Sequence, residues 1–95
     1  MRMTQPTHES ADAALRDALA ETLGLDADRV AAFDADTALF GALPELDSMA
    51  VATLLTDIED RLDIVIDDDD IDGEVFETYG SLLSFVARKL VDKAG

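Results

Sequence analysis

The middle of the chain has the spacing of an amphipathic helix. Its apolar residues fall three or four positions apart, at Val51, Leu54, Leu55, Ile58 and Leu62. This spacing places them on one helical face, so the pattern predicts a helix from about Ser48 to Leu62. The acids Asp57, Glu59 and Asp60 then fall on or near its solvated side. Asp47 comes just before this helix and is a residue type that caps helix N-termini well.

Two further long helices are predicted, one on each side of the first. The earlier one runs from about Glu9 to Leu23 and is closed by Gly24, which suits a left-handed C-terminal cap. The later one follows Thr78 as N-cap and extends to about Val91. Its apolar face comprises Leu82, Leu83, Phe85, Val86 and Leu90. A short helix is predicted over Ile71 to Glu77, because the acids before it favour a helix N-terminus.

The stretch from Leu25 to Leu46 has no clear period, and loops of this length in compact domains usually serve a function. Asp26 to Arg29 can form one helical turn, and Ile64 to Ile66 is predicted to be an extended, buried segment. Apolar residues of the long loop that can pin it to the core are Val30, Phe33, Leu39, Phe40, Leu43 and Leu46. The predicted fold is all-α, a small four-helix bundle of three main helices and one short helix, with a long loop between the first two main helices.

Composition narrows the classes of partner. The 95 residues suit one domain, predicted to span residues 9–92 after a disordered tail at 1–8 that includes the single histidine, His8. The net charge of -15 disfavours binding to nucleic acid and anionic membranes, and it favours proteins with basic patches. The polar N-terminus lacks a signal-peptide pattern, so we expect a cytoplasmic protein. No apolar run is long enough to span a bilayer, so we expect no membrane insertion, and we also expect a monomer. With no cysteine, the chain offers neither a disulfide nor a thiolate nucleophile.

The acidic run from Asp67 to Asp70 invites a metal interpretation. Asp68, Asp70, Asp72 and Gly73 match the first, third, fifth and sixth positions of a calcium-binding loop. The twelfth position should supply a glutamate, but here it is Tyr79. We therefore expect no dedicated metal site. An acidic calcium-binding interaction module nevertheless stays open as an alternative function.

Ser48 is the residue on which the chemistry is expected to converge. At the start of a helix, its hydroxyl lies beside free N–H groups and the positive end of the helix dipole. A phosphate attached there would be electrostatically favoured. A structural interpretation, in which Asp47 and Ser48 merely begin a helix, is the alternative that the Asp-Ser pair alone leaves open.

Several motifs in register resemble those of acyl carrier proteins, the phosphopantetheine-binding family. The resemblance covers about Leu15 to Leu90. Its motifs are Leu23-Gly24-Leu25, Asp47-Ser48-Met49, Leu54-Leu55-x-x-Ile58-Glu59-Asp60-x-Leu62, Ile64-x-Ile66-Asp67 and Phe76-x-Thr78-x-Gly80-Ser81-Leu82. The string from Leu43 to Met49 is most similar to stand-alone carriers of specialised bacterial clusters, such as those linked to exopolysaccharides.

The resemblance implies a specific modification. Ser48 would receive 4′-phosphopantetheine from coenzyme A through a magnesium-dependent phosphopantetheinyl transferase of the holo-carrier synthase type. The thiol of the arm would carry an acyl group as a thioester, in lipid or polyketide biosynthesis, and the protein itself would catalyse nothing. Asp47 would hold the helix start, while Met49 would border the arm. An aminoacyl carrier of the D-alanyl type and an unmodified interaction bundle remain alternatives.

The expected partners are the transferase and the enzymes that load and transfer the acyl group. Glu59 and Asp60 are predicted to contact basic docking patches on these enzymes, with Met49 at the centre of the contact. An apolar cargo is predicted to enter the space between the second and last main helices. The residues expected to line that space are Leu54, Ile58, Leu62, Phe85, Val86 and Leu90.

Overall fold

The computed structural model describes residues 6–94, apart from the side chains of 6–9, 68, 93 and 94. Four α-helices follow one another along this part of the chain: α1 (Pro6–Leu23), α2 (Ala27–Ala31), α3 (Ser48–Leu62) and α4 (Tyr79–Ala94). A single 3-10 turn, Asp68–Asp70, lies between α3 and α4. The predicted all-α bundle with a long loop is therefore confirmed.

The predicted helix boundaries hold best for α3, which spans Ser48–Leu62 as expected. α1 begins at Pro6 rather than at Glu9, since proline is tolerated in the first turn of a helix, where its missing N–H costs no hydrogen bond. α1 ends before Gly24, which has the left-handed φ of 69° expected of its C-terminal cap. Residues 1–5 of the predicted tail lie outside the described residues, as does the side chain of His8.

The short helix lies elsewhere than predicted. Residues 27–31 form it, where a single turn was expected, whereas residues 73–77 form turns instead of the predicted helix from Ile71 to Glu77. The Asp72 carboxylate accepts hydrogen bonds from Glu74 N (3.0 Å) and Val75 N (3.2 Å), which closes a local turn. Farther on, the carbonyls of residues 76 and 77 accept bonds from the long loop, so they cannot continue a helical ladder.

The core lies around α1, which contacts α2, α3 and α4. Leu15, Leu19, Leu54, Leu82 and Val86 have no exposed surface. Burying such side chains stabilises the fold by about 1.5–3 kcal/mol each relative to exposure. The core fixes the relative positions of the helices, and thereby of the loops that run between them.

Most of the apolar residues in the long loop are pinned to the core as predicted. Their exposed fractions are 8% or less, at Val30, Phe33, Leu39, Leu43 and Leu46. Phe40 is the exception, because 55% of its surface is exposed. In the segment after α3, Ile64 is buried as predicted, but Val65 is 75% exposed and points away from the core. Successive side chains of an extended segment point to opposite sides, and only the side that carries Ile64 faces the core.

Arg16 joins three elements through a half-buried network. Its guanidinium donates to Asp12 (3.0 Å) on α1 and to the carbonyls of Val30 (2.6 Å) and Phe33 (3.1 Å) at the end of α2. The same guanidinium lies 4.6 Å from the ring centroid of Tyr79, whose hydroxyl donates to Asp12. Burial, and then the bond to Asp12, raises the pKa of Tyr79 above its ordinary value. The network fastens α2 and the start of α4 to α1.

Candidate phosphopantetheine attachment site

The start of α3 has the predicted cap. Asp47 has an extended backbone, and its Oδ1 accepts a hydrogen bond from Ala50 N at 2.8 Å. The carbonyl of Asp47 accepts the first intrahelical bond, from Val51 N at 2.9 Å. This geometry fixes Ser48 as the first residue of the helix, and Ser48 is exposed. Met49, beside it, is 81% exposed.

The first turn of α3 leaves hydrogen-bond donors available. Among the described backbone and side-chain groups, the N–H groups of Ser48 and Met49 have no hydrogen-bond acceptor. Apart from the capping carboxylate of Asp47, no acidic side chain lies in the first turn at the positive end of the dipole. An anion attached at Ser48 Oγ would therefore meet free donors and a favourable dipole, as the sequence predicted.

An open depression borders Ser48. Its volume is about 240 Å³, and its lining consists of Phe40, Ser48, Val51, Gly73 and Phe76. Three of these residues come from two loops distant in sequence. Their contribution has no local signal, and sequence reasoning missed it.

The predicted cargo lining is mostly core. Leu54, Ile58 and Val86 are buried, with exposed fractions of 1% or less. Leu62, Phe85 and Leu90 are half-buried and pack against the core. The space that opens beside Ser48 has a different lining, because the two loops flank the start of α3.

The acids of α3 differ in their engagement. Glu59 Oε2 accepts a hydrogen bond from Ile66 N at 2.7 Å and so ties the segment after α3 to the helix. Asp57 pairs with Arg61 at 2.6 Å. The Asp60 side chain is exposed and, within the described part of the chain, makes no ion pair or hydrogen bond. Before the helix, Glu45 pairs with Arg29 at 3.3 Å.

The acidic run engages a cation from within the chain. Asp70 pairs with Lys89 of α4, and this bond lowers the pKa of the Asp70 carboxyl. Asp72 is occupied by its local turn, and Tyr79, at the twelfth position of the calcium pattern, is buried. Among the residues whose placement is described, no group of three or more His, Cys, Asp or Glu could hold a metal ion. The side chain of Asp68, the first position of the calcium pattern, lies outside the described residues, and the described positions of the pattern form no such group.

Among the helices of residues 6–94, none is long and apolar enough to cross a bilayer.

Comparison with known proteins agrees with this geometry. Residues 13–88 match the family model described as a phosphopantetheine attachment site. An acyl carrier protein from an Exiguobacterium species is 33% identical over 76 residues, covering 80% of this chain and 89% of that protein. The solution NMR structure of a holo acyl carrier protein from Nitrosomonas europaea is 40% identical, with a TM-score of 0.76. That alignment covers 93% of this chain and 99% of the other.

The fold and the open helix start thus define a small helical carrier bundle. By the extent of these matches, the chain belongs to the phosphopantetheine-binding family of acyl carrier proteins. Its cofactor is a covalently attached 4′-phosphopantetheine, and its partners are biosynthetic enzymes.

Proposed function

We propose that Ser48 is the attachment residue and that the chain presents an acyl group without catalysing a reaction itself. The observation that supports this proposal most directly is the open start of α3. Ser48 is exposed there, the N–H groups of Ser48 and Met49 are available, and Asp47 completes the cap without covering the hydroxyl. These residues fit the group, since a phosphodiester on Ser48 would lie at the positive helix end. When attached, the arm supplies a terminal thiol that carries the cargo as a thioester.

The modification is a group transfer catalysed by a phosphopantetheinyl transferase. The Ser48 oxygen forms the new bond to the phosphorus next to the pantetheine, while the pyrophosphate bond of coenzyme A breaks and the adenosine bisphosphate part leaves. The hydroxyl proton passes to a base of the transferase or to water. Asp47 keeps the hydroxyl at the helix start throughout, because its hydrogen bond to Ala50 N anchors the turn. We also propose that the protein is cytoplasmic and monomeric.

Intact mass after incubation with coenzyme A and a broad-specificity transferase tests the assignment. The wild type should gain one phosphopantetheine, and Ser48→Ala should gain none. Ser84→Ala is the matched control, since Ser84 is also an exposed serine on a helix but lies within α4. A full-yield adduct on Ser48→Ala would show that another residue is modified.

The cargo proposed is an apolar acyl chain of medium length. The depression beside Ser48 is open to solvent, has a volume of about 240 Å³ and has apolar walls from Phe40, Val51 and Phe76. Each methylene removed from water there contributes up to about 0.8 kcal/mol. A hexanoyl thioester should therefore raise the melting temperature of the holo form, whereas an acetyl thioester should not. Equal melting temperatures would favour a small polar cargo, as in an aminoacyl carrier.

Docking on α3 is proposed for Asp60, Glu59 and Met49. Asp60 is the freest of the acids, whereas Glu59 already accepts a bond from Ile66 N and contributes mainly its remaining charge. The fitting partners are enzymes with Lys or Arg around the active-site entrance. Asp60→Lys should slow modification of Ser48 severalfold at low salt, and the defect should shrink as salt screens the charges. Asp17→Lys makes the same charge change at an exposed position of α1 and should do much less. Equal slowing would indicate a general charge effect.

A further inference from the structure

Exposed apolar side chains concentrate beside Ser48. Within residues 10–92, the large apolar side chains that are exposed are Phe40, Met49, Val65 and Val91. Phe40 and Ser48 line the same depression, and Met49 is next to Ser48 in α3. Two of these four side chains thus border the proposed attachment residue, although they come from different elements. Neighbouring exposed apolar side chains are a feature of interaction surfaces.

The backbone presents Phe40 rigidly. Its N–H donates to the carbonyl of Phe76 at 2.9 Å, and the N–H of Leu39 donates to the carbonyl of Glu77 at 3.1 Å. The Leu39 side chain is fully buried, and its carbonyl accepts a bond from Leu43 N at 2.9 Å. These bonds fix the backbone from which the exposed side chain of Phe40 projects. A preorganised aromatic residue loses little conformational entropy when it is covered by a partner.

Two exposed acidic residues lie next in sequence to residues that line the depression. Glu74 follows Gly73, which lines the depression, and Glu77 is hydrogen-bonded through its carbonyl to Leu39. Both side chains are exposed, and within the described side chains neither carboxylate has an ion-pair partner. The charge complement of these two carboxylates is a basic surface, in line with a chain of net charge -15.

We propose that Phe40 is the aromatic anchor of enzyme docking and that the contact straddles Ser48. The Phe40–Met49 surface consists of Phe40, Met49, Glu74 and Glu77, with Ser48 between the two apolar side chains. Its occupant is an enzyme whose active-site entrance has an apolar socket for the ring and Lys or Arg beside it. This inference rests on the proposed function, and it extends the docking site from α3 to the two loops. Aromatic residues at the centre of a contact commonly carry much of its binding energy.

Steady-state kinetics of phosphopantetheine transfer from coenzyme A to the full chain test the anchor. Phe40→Ala should raise the KM of the transferase for the carrier by about tenfold, because hot-spot truncation removes binding. The kcat should change little, since the lost contact binds ground state and transition state equally. Val91→Ala is the matched control, because Val91 is 57% exposed against 55% for Phe40 but lies near the end of α4.

Salt separates the two components of the surface. The KM defect of Phe40→Ala should persist at high salt, since it reflects apolar contact. The double variant Glu74→Gln with Glu77→Gln should raise KM at low salt and approach the wild type as salt increases. Melting curves check folding, and Phe40→Leu keeps an apolar side chain of smaller area if the alanine variant melts below the assay temperature. Its KM should fall between those of the wild type and Phe40→Ala.

The outcomes distinguish this inference from the proposed function. A wild-type chain that gains no adduct on Ser48 would overturn the proposed function and the docking role together. A normally modified wild type with a folded Phe40→Ala variant of unchanged KM would overturn the anchor alone. Equal KM defects for Phe40→Ala and Val91→Ala would also overturn it, because exposed apolar area in general would then be responsible.

Discussion

The first turns of α3 and α4 both follow a capping side chain, yet their donors have different fates. At α3, Asp47 binds one N–H and leaves those of Ser48 and Met49 without an acceptor among the described residues. At α4, the long loop takes the donors, since Tyr79 N donates to Thr37 O (2.8 Å) and Gly80 N to Ala35 O (3.0 Å). A helix start becomes a site for an anion only where the fold leaves it open.

The serines of the two turns show the same contrast. Ser81 Oγ accepts from Thr78 N at 3.1 Å and donates to the carbonyl of Val75 at 3.0 Å, while Ser81 N donates to Thr78 Oγ1 at 3.1 Å. Ser81 is therefore part of a reciprocal cap. Ser48 has an exposed hydroxyl that makes no such bond among the described residues. Ser81 stabilises the start of α4, whereas Ser48 is available for modification.

The largest effect is expected where the loop meets α4. A Cβ at Gly80 would lie 2.7 Å from the Ala35 carbonyl oxygen, so the backbone would have to move. Gly80→Ala should lower the free energy of unfolding by about 2–3 kcal/mol, as overpacking does, even after its gain in helix propensity. Urea denaturation followed by circular dichroism measures this change. The control Gly73→Ala meets no atom within 4 Å. Equal stability of the two variants would mean that the contact between the long loop and α4 can adjust to the added methyl group.

Replacing each serine by alanine gives an intermediate effect. Ser81→Ala leaves the N–H of Thr78 without its acceptor and should cost about 1–2 kcal/mol of unfolding free energy. Ser48→Ala should change the unfolding free energy by less than about 0.5 kcal/mol, because it is an exposed substitution and Asp47 still caps the turn. Denaturation curves of the two variants test the contrast. A large loss for Ser48→Ala would show that its hydroxyl has a structural role.

The ionisation of Tyr79, in the first turn of α4, should affect stability at alkaline pH and not at neutral pH. Burial and the bond to Asp12 raise the pKa of Tyr79, so the neutral phenol is favoured in the folded state. Its contribution to stability is fully present below the unfolded pKa of about 10 and is lost as pH rises toward the higher folded value. Tyr79 is the only tyrosine, so its absorbance reports directly. We expect phenolate to appear near pH 10 in urea but only at higher pH, together with unfolding, in buffer. Coincident titrations would contradict the proposed environment.

Local signals were enough for α3. The apolar spacing and the capping residue Asp47 act over neighbouring turns, so the sequence predicted both ends of α3 and the cap. Local signals failed for residues 71–77, because the helical preference of that segment competes with a long-range alternative. The carbonyls of Phe76 and Glu77 bond to the N–H groups of Phe40 and Leu39, more than thirty residues away. No spacing within the segment reveals such a partner.

The sequence by itself determined the class of fold, the position of Ser48 at a helix start and, through the motif around it, the resemblance to carriers. These depend on side-chain period and capping, which are properties of short segments. Only the tertiary structure decided that the first N–H groups of α3 stay available while those of α4 bond to the long loop. It also decided that Phe40 is exposed beside Ser48. Each of these follows from the path of the long loop across the bundle. That path is set by the burial of Leu39 and by backbone bonds to residues remote in sequence.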